Sequence, residues 1–402
     1  MIRLGVIGHG GRASSLIKEC FRQVEPDVRV VGIVDPDQAA AAGRLAEHDR
    51  ADVVFYDSLA ALVRGARPDA LMIGARCHQH TPYAIEASRY DLPLFLEKPV
   101  AVNMEQATAL EAAFEKSRCP VLVSFPLRVS PLCDLARDTL RSDAIGRPEH
   151  ILAVNYVPYG TVYFDAFYRD YETTQGLFIQ KATHDFDYIC SLMGEPIVRI
   201  GAMRTAGRVF GGTRPAGLHC SACPEQDTCL ESPAARRRNR SGGDLKDHLC
   251  VFGVDIGSPA TGMNEDSSSV VMEFTSGVHG VYTQVFFSRR DAATRGATIS
   301  GYHGTLSFDW YTNALRLVRH HRPFTETVQA DKGMSHFGGD LELARDFVGM
   351  VRGKRPPRAT IWDGIQSIYT CLAAKESAET GRFVAVRQVV DQQADLDRER
   401  RR

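Results

Sequence analysis

Two lysines and a histidine carry the first sign of chemistry in this chain. Glu97, Lys98 and Pro99 follow directly on the short apolar run of residues 94–96. A lysine at the end of a buried strand is costly unless it is paired or used. Pro99 stops the strand and favours an extended backbone at Lys98. Further on, Gln180-Lys181-Ala182-Thr183-His184-Asp185-Phe186-Asp187 opens an apolar helical run that ends at Gly194. On a helix Lys181 and His184 share a face, as do His184 and Asp187. An imidazole beside a carboxylate is held in one tautomer and made more basic. Such a set suits oxidation of a secondary alcohol. A near-neutral base, here His184, takes the hydroxyl proton and contributes about 10² to 10⁴-fold. Cationic Lys98 holds the hydroxyl and stabilises the developing alkoxide. Alternatively Lys98 is the base, its pKa lowered by burial or by Lys181. The same residues also read as a plain helix start, with Thr183 as N-cap and Asp185 and Asp187 complementing the dipole.

The elements that must position these groups follow from periodicity. Residues 1–125 alternate strand-like runs (2–7, 28–34, 70–73, 94–96, 121–125) with helical stretches, which predicts βαβ units and a parallel sheet. The first turn, Gly8-His9-Gly10-Gly11-Arg12-Ala13, fits G-x-G-x-x-G/A between a strand and a helix. Its glycines let backbone reach a pyrophosphate. Asp35 ends the second strand, where a carboxylate meets ribose hydroxyls and disfavours a 2′-phosphate, so NAD is expected over NADP. The candidate cofactor-binding set is Gly8, Gly10, Gly11, Arg12, Asp35, His80, Glu97 and Lys98. His80 either lines the cofactor site or is the exposed start of a helix near Pro82.

Past residue 125 the pattern turns to alternating, mostly antiparallel strands with a few helices, an α+β domain with one large mixed sheet over 126–390. Residues 205–265 break that pattern as an insertion, and 391–402 form a charged tail. An aromatic stretch precedes the His184 helix. From it Tyr156 and Arg169 are expected to meet the substrate, with Asp185 beside them, although aromatic core packing explains most of the stretch. The insertion carries Cys220, Cys223, Cys229 and Cys250. Cysteines so spaced suggest a structural zinc or, alternatively, an iron–sulfur cluster, tying down a loop that has no core of its own. Four free thiols are the other reading.

Composition excludes other classes. The chain has 402 residues, 24% of them charged, and a net charge of -1, so no global field favours nucleic acid or membrane. No secretory signal or membrane-length apolar run is visible, which makes the cytoplasm the expected location.

Taken together, the Gly8-x-Gly10 turn, Asp35, Glu97-Lys98-Pro99, Arg128, Gly146, His184 and the C-terminal run from Asp346 to Gly381 resemble the Gfo/Idh/MocA oxidoreductases. The likeness is to a subgroup with a four-Cys insertion and Lys-x-x-His-Asp. It implies a Rossmann domain followed by an open-faced α/β domain, and oxidation or reduction of a secondary alcohol on a sugar, sugar derivative or polyol. It also implies Lys98 and His184 at the reaction site, often with a cis peptide before Pro99, and a homodimer or homotetramer. Many members carry an acid where Gln180 stands, so the proton route borrowed from that acid is open. A glycoside-cleaving member of the family and a dinucleotide-binding regulator without turnover are the alternatives.

Overall fold

The computed structural model describes residues 1–240, 245–331, 333 and 335–389, and the tail expected at 391–402 lies outside the described residues. Strands β1 (Ile2–Ile7), β2 (Val28–Val34), β3 (Val54–Phe55), β4 (Ala70–Ile73), β5 (Leu94–Leu96) and β6 (Val121–Val123) form a parallel sheet in the order β3-β2-β1-β4-β5-β6. Helices cover both faces, so β4 and β5 are fully apolar and fully buried. The strand order reverses between β1 and β4. Ligands of doubly wound sheets bind at such a switch point, outside the carboxyl ends of the strands. The Gly8 turn, the loop after β4 and Glu97-Lys98-Pro99 all leave the sheet at that edge.

The second sheet has nine strands: β7 (Pro148–Tyr156), β8 (Ile197–Thr205), β9 (Ser267–Phe274), β10 (His279–Val285), β11 (Thr294–Gly301), β12 (Gly304–Asp309), β13 (Ala314–Arg319), β14 (Phe324–Gln329) and β15 (Val384–Ala385). Their order is β14-β13-β12-β11-β7-β10-β9-β8-β15. All neighbours are antiparallel except β7 and β10. Pleat alternation gives the sheet two unlike faces. Ile151, Ala153, Asn155, Met272 and Tyr282 point towards the helix Thr183–Met193 side and are buried. Leu152, Val271 and Met203 point the other way and are 43%, 45% and 80% exposed.

The two sheets are joined by packing as well as by chain. Helix Gly339–Val351, late in the sequence, returns to the first sheet, where Phe347 packs on Phe21 and Phe95 with ring centres 5.1 and 5.5 Å away. The expected insertion is one excursion between β8 and β9, which pair along their length. It does have a core: Phe210, Val251, Ile256 and Met263 pack with Val157, Tyr163, Phe164 and Phe286. Asp266 closes its base by accepting from the backbone N–H groups of Arg208, Val209 and Phe210.

Candidate active site

At the first turn Gly8 has φ +80°, and a Cβ there would stand 2.5 Å from the Ala75 backbone. Only glycine serves at that position. Gly10 and Gly11 have open space where a Cβ would be, so the turn presents bare backbone to the switch-point crevice. Asp35 stays at the end of β2, its carboxylate accepting from the backbone N–H of His9 (2.8 Å) and of Asp37 (2.9 Å). These features fit a dinucleotide: an unobstructed glycine turn at a helix start, with a fixed carboxylate one strand away.

Three expected cofactor contacts are engaged elsewhere. Arg12 donates from Nε to Glu97 (3.0 Å) and from both terminal nitrogens to Asp340 (2.6 and 2.7 Å). It is a strut between the cofactor turn and the helix Gly339–Val351, not a phosphate ligand. Glu97 is buried, accepts from Arg12 and Ser124, and does not orient Lys98 by a hydrogen bond. His80 is neither exposed nor aimed at the crevice. It is 2% exposed, and its ring nitrogens meet the carbonyls of Pro99 (2.8 Å) and Ala75 (2.9 Å). It clamps the two loops that frame the crevice.

Lys98 lies beside that clamp, before a cis peptide bond to Pro99. Its Nζ donates to the backbone carbonyl of Gln180 at 2.9 Å. Burial pushes its pKa down to about 8, and Lys181 adds to the effect. Lys181 is buried too and donates to the Tyr159 hydroxyl at 2.9 Å. Burial lowers its pKa as well, with Tyr159 opposing. His184 completes the set. Burial holds its pKa well below the ordinary imidazole value, followed by Lys98, Arg295 and Lys181. The ring is therefore a neutral base in a cationic pocket, and Lys98 and Lys181 reach the same pocket from two separate elements.

The local geometry differs from one continuous helix. Leu177–Gln180 is a single turn, Lys181 caps it, and a new helix, Thr183–Met193, begins after Ala182. Thr183 is not the N-cap; its hydroxyl bonds Ser367 (2.9 Å). Asp187 does not serve His184. It pairs with Arg128 at 2.8 Å, and Arg128 also reaches Asp363. The Nδ1 of His184 and the Oε1 of Gln180 are buried with no hydrogen-bond partner among the described residues.

The expected substrate contacts are not in this pocket. Asp185 is fully buried and saturated: it accepts two bonds from Arg295 (3.0 Å each), one from Asn155 (2.9 Å) and one from Tyr282 (2.9 Å). It fastens the helix to the sheet. Tyr156 alternates with the inward Asn155 and so lies on the opposite face of β7. Arg169 is 7% exposed and bonds Asp255 (2.6 Å) and the Cys250 carbonyl (3.3 Å), which staples the insertion.

The metal expectation is not supported, although Cys220, Cys223, Cys229 and Cys250 lie close enough for Cys220 to feel the other three. Among the described residues no group of three or more His, Cys, Asp or Glu is arranged to hold a metal ion, and Cys220, Cys223, Cys229 and Cys250 form no disulfide. Neither zinc nor an iron–sulfur cluster is supported. The expectation assumed a loop without a core, and the apolar cluster and Arg169 staple remove that premise.

Several pocket residues were not visible as such in the sequence. Tyr159 was legible only as one aromatic among many. Arg295 comes from β11, far from any motif. His336 stands 6.3 Å from His184 between ring centres. Its nearest signal was Gly338-Gly339-Asp340, a glycine-rich helix start with a histidine four residues before an acid. A separate groove, lined by Tyr302, His303, Arg319, His321 and Phe324, sits at the far edge of the second sheet and shares no residue with this pocket.

Comparison with known proteins agrees with this architecture. Residues 2–125 match the NAD-binding Rossmann fold of the oxidoreductase family Gfo/Idh/MocA, and residues 139–386 match that family's C-terminal alpha/beta domain. Myo-inositol 2-dehydrogenase of Thermotoga maritima is 21% identical over 97% of this chain and 100% of its own length. Inositol 2-dehydrogenase of Rubrobacter xylanophilus is 28% identical over 52% of this chain and 57% of its own length. Among solved structures, levoglucosan dehydrogenase in complex with NADH and L-sorbose superposes with a TM-score of 0.74 at 18% identity, covering 96% of this chain and 99% of that one. At that identity the likeness shows the fold. With both halves matched in order, the chain is an NAD-binding oxidoreductase of the Gfo/Idh/MocA family.

Proposed function

We propose that this protein is an NAD-dependent dehydrogenase acting on a secondary hydroxyl of a sugar, sugar derivative or polyol. The observation that carries this reading is the pocket itself: neutral His184 flanked by Lys98 and Lys181, at the carboxyl edge of the dinucleotide sheet. The inositol and levoglucosan dehydrogenases among its relatives support the substrate class.

The backbone of Gly8, Gly10 and Gly11 would hold the pyrophosphate, and Asp35 the adenosine ribose, which favours NAD over NADP. Bound NAD would accept the hydride from the carbinol carbon. Lys98 holds the substrate oxygen and stabilises charge as it develops there. His184 takes the hydroxyl proton, and its lowered pKa keeps it free to do so at neutral pH. Lys181 fixes the Tyr159 hydroxyl beside the same oxygen site.

A screen of inositols, sugars, sugar acids and glycosides, followed by NADH absorbance, tests the reading. Turnover of one of them, lost in Lys98→Ala and His184→Ala while NADH binding persists, is the expected result. Unchanged turnover in both variants removes the mechanism. Glycoside cleavage without net NADH would instead assign the glycoside-cleaving alternative.

The exposed apolar face of the second sheet supports a homodimer or homotetramer, because Leu152 and Val271 flank Val281 on it across three neighbouring strands and are 43% and 45% exposed. Light scattering of Leu152→Asp/Val271→Asp should show a smaller particle than the wild type. An unchanged mass would exclude this face.

A further inference from the structure

His336 lies in the turn before helix Gly339–Val351 and is not part of the reaction set above. Its backbone and that of Phe337 are left-handed, at φ +48° and +57°, followed by Gly338 at +86°. Non-glycine residues adopt this conformation at a cost, and consecutive ones cluster where function needs them. The turn is anchored by Phe337, which stacks near Trp310 and meets the edge of Tyr311. Its effect is to aim the His336 ring at His184.

The two imidazoles differ in what surrounds them. His184 is 6% exposed, faces Lys98, Lys181 and Arg295, and has no partner at Nδ1. A proton gained there is poorly held. His336 is 36% exposed in its side chain, and its Nδ1 meets Asp340 at 2.9 Å. The groups facing it are Asp340, Ser335, Arg12, His184 and Lys181. Arg12 is shared between two carboxylates, Glu97 and Asp340, so its charge is divided and Asp340 stays available as an acceptor for the imidazole. Burial lowers the pKa of His336 too, but Asp340 opposes it and the ring is shifted less deeply than His184, so of the two imidazoles His336 holds a proton better. With Asp340 on Nδ1, the Nε2 of His336 is left to receive that proton.

We propose that His336, held by Asp340, is the outlet for the proton that His184 takes from the substrate hydroxyl. This rests on the dehydrogenase reading above. The pair supplies from the far end of the chain the carboxylate-backed imidazole that the His184 helix lacks, where Gln180 stands and Asp187 is turned away. The hydroxyl O–H bond breaks and its proton goes to His184, while the carbinol hydrogen leaves with its bonding pair to NAD. The proton then passes to His336 and on to solvent, and His184 returns neutral. A direct bond between two imidazole nitrogens puts ring centres about 5 Å apart. At 6.3 Å the transfer runs through one bridging water molecule. His336 acts through His184 and is a relay, not a group that binds substrate.

The test is His336→Asn, since asparagine tolerates a left-handed backbone and still donates to Asp340 but cannot carry a proton. With a polyol that the wild type oxidises (myo-inositol tried first), steady-state NADH formation should fall about 10-fold or more, within the range of lost proton transfer, while the first turnover, in which neutral His184 takes the proton, persists. KM and NADH affinity should be unchanged, and added imidazole should restore the rate. An unchanged rate, or a loss that no buffer base restores, overturns the proposal. His336→Gln is a second variant judged by the same outcomes. A readout without turnover is the ring nitrogen NMR titration of His336 in the intact protein. Titration coupled to His184, and altered in His184→Ala, is expected; a titration indifferent to His184→Ala overturns the relay. Absence of any polyol oxidation by the wild type would instead count against the dehydrogenase reading.

Discussion

The Lys181 ammonium donates to the Tyr159 hydroxyl at 2.9 Å and lies 5.0 Å from the centre of the same ring. A buried cation thus holds a phenol whose ring is 44% exposed. Burial alone would raise the phenol pKa, but Lys181 and Arg295 overcome it and lower the value. Tyr159→Phe should therefore reduce kcat by about 10-fold or more, as loss of a positioned proton donor does, with NADH binding retained. Lys181→Met should shift the alkaline limb of the kcat profile upward, because the phenol loses the cation that favours its ionised form. Stopped-flow pH profiles check both, and an alkaline limb that does not move would separate Tyr159 from the chemistry.

Lys98 makes a related prediction for stability. Its pKa in the folded protein is pushed down to about 8 from 10.5, by burial first. Below pH 8 the lysine is charged in both states, and folding bears the full cost of burying the charge. Between about 8 and 10.5 the unfolded chain binds more protons than the folded one, so stability rises with pH across that window. Lys98→Met should abolish turnover yet melt higher than the wild type at pH 7, and the difference should shrink towards pH 10. A lower melting temperature at pH 7 would show that the bond to the Gln180 carbonyl outweighs burial.

Asp185 and Arg295 set the opposite case. Both are buried, and the pair is bidentate, with Asn155 and Tyr282 completing the carboxylate. Asp185→Ala leaves the guanidinium uncompensated and should cost about 3–5 kcal/mol in denaturant unfolding. Replacing both residues by apolar ones of similar size should recover most of that loss, since the pair also bears a desolvation penalty.

What the sequence disclosed tracks how local each signal is. Strands 2–7, 28–34, 70–73 and 94–96 coincide with the elements found, because the apolar run and its flanking turn residues lie within each segment. Strand Ile197–Thr205 did not stand out, since its arginines and glycine sit among outward positions of a sheet face that only pairing with β9 defines. Gly8, Asp35 and Lys98 stood out as candidates because each follows a strand, and His184 because it opens a helix, whereas Lys181 closes the helical turn Leu177–Gln180. Asp185 and Arg169 were assigned to substrate because their partners, Arg295 and Asp255, lie 110 and 86 residues away. His336 was hidden for the same reason: nothing near residue 336 states that it faces residue 184.

Arg76 leaves the loop after β4 on the cofactor side, and its guanidinium carbon lies 3.6 Å from the ring centre of Phe167, on the aromatic stretch before the His184 helix. Phe167 in turn packs on Tyr168 with ring centres 4.0 Å apart. This contact joins the loop after β4 to the segment that precedes the His184 helix. At 45% exposure of Phe167, a cation–π contact contributes about 0.5–1 kcal/mol, which is roughly a 2- to 5-fold change in an equilibrium. Phe167→Ala and Arg76→Ala should therefore each raise KM by about that factor, with kcat close to the wild-type value. The double variant should be no worse than either single one, because both remove the same contact. Additive losses in a steady-state KM cycle would mean that Arg76 and Phe167 reach bound ligand independently instead of closing on each other.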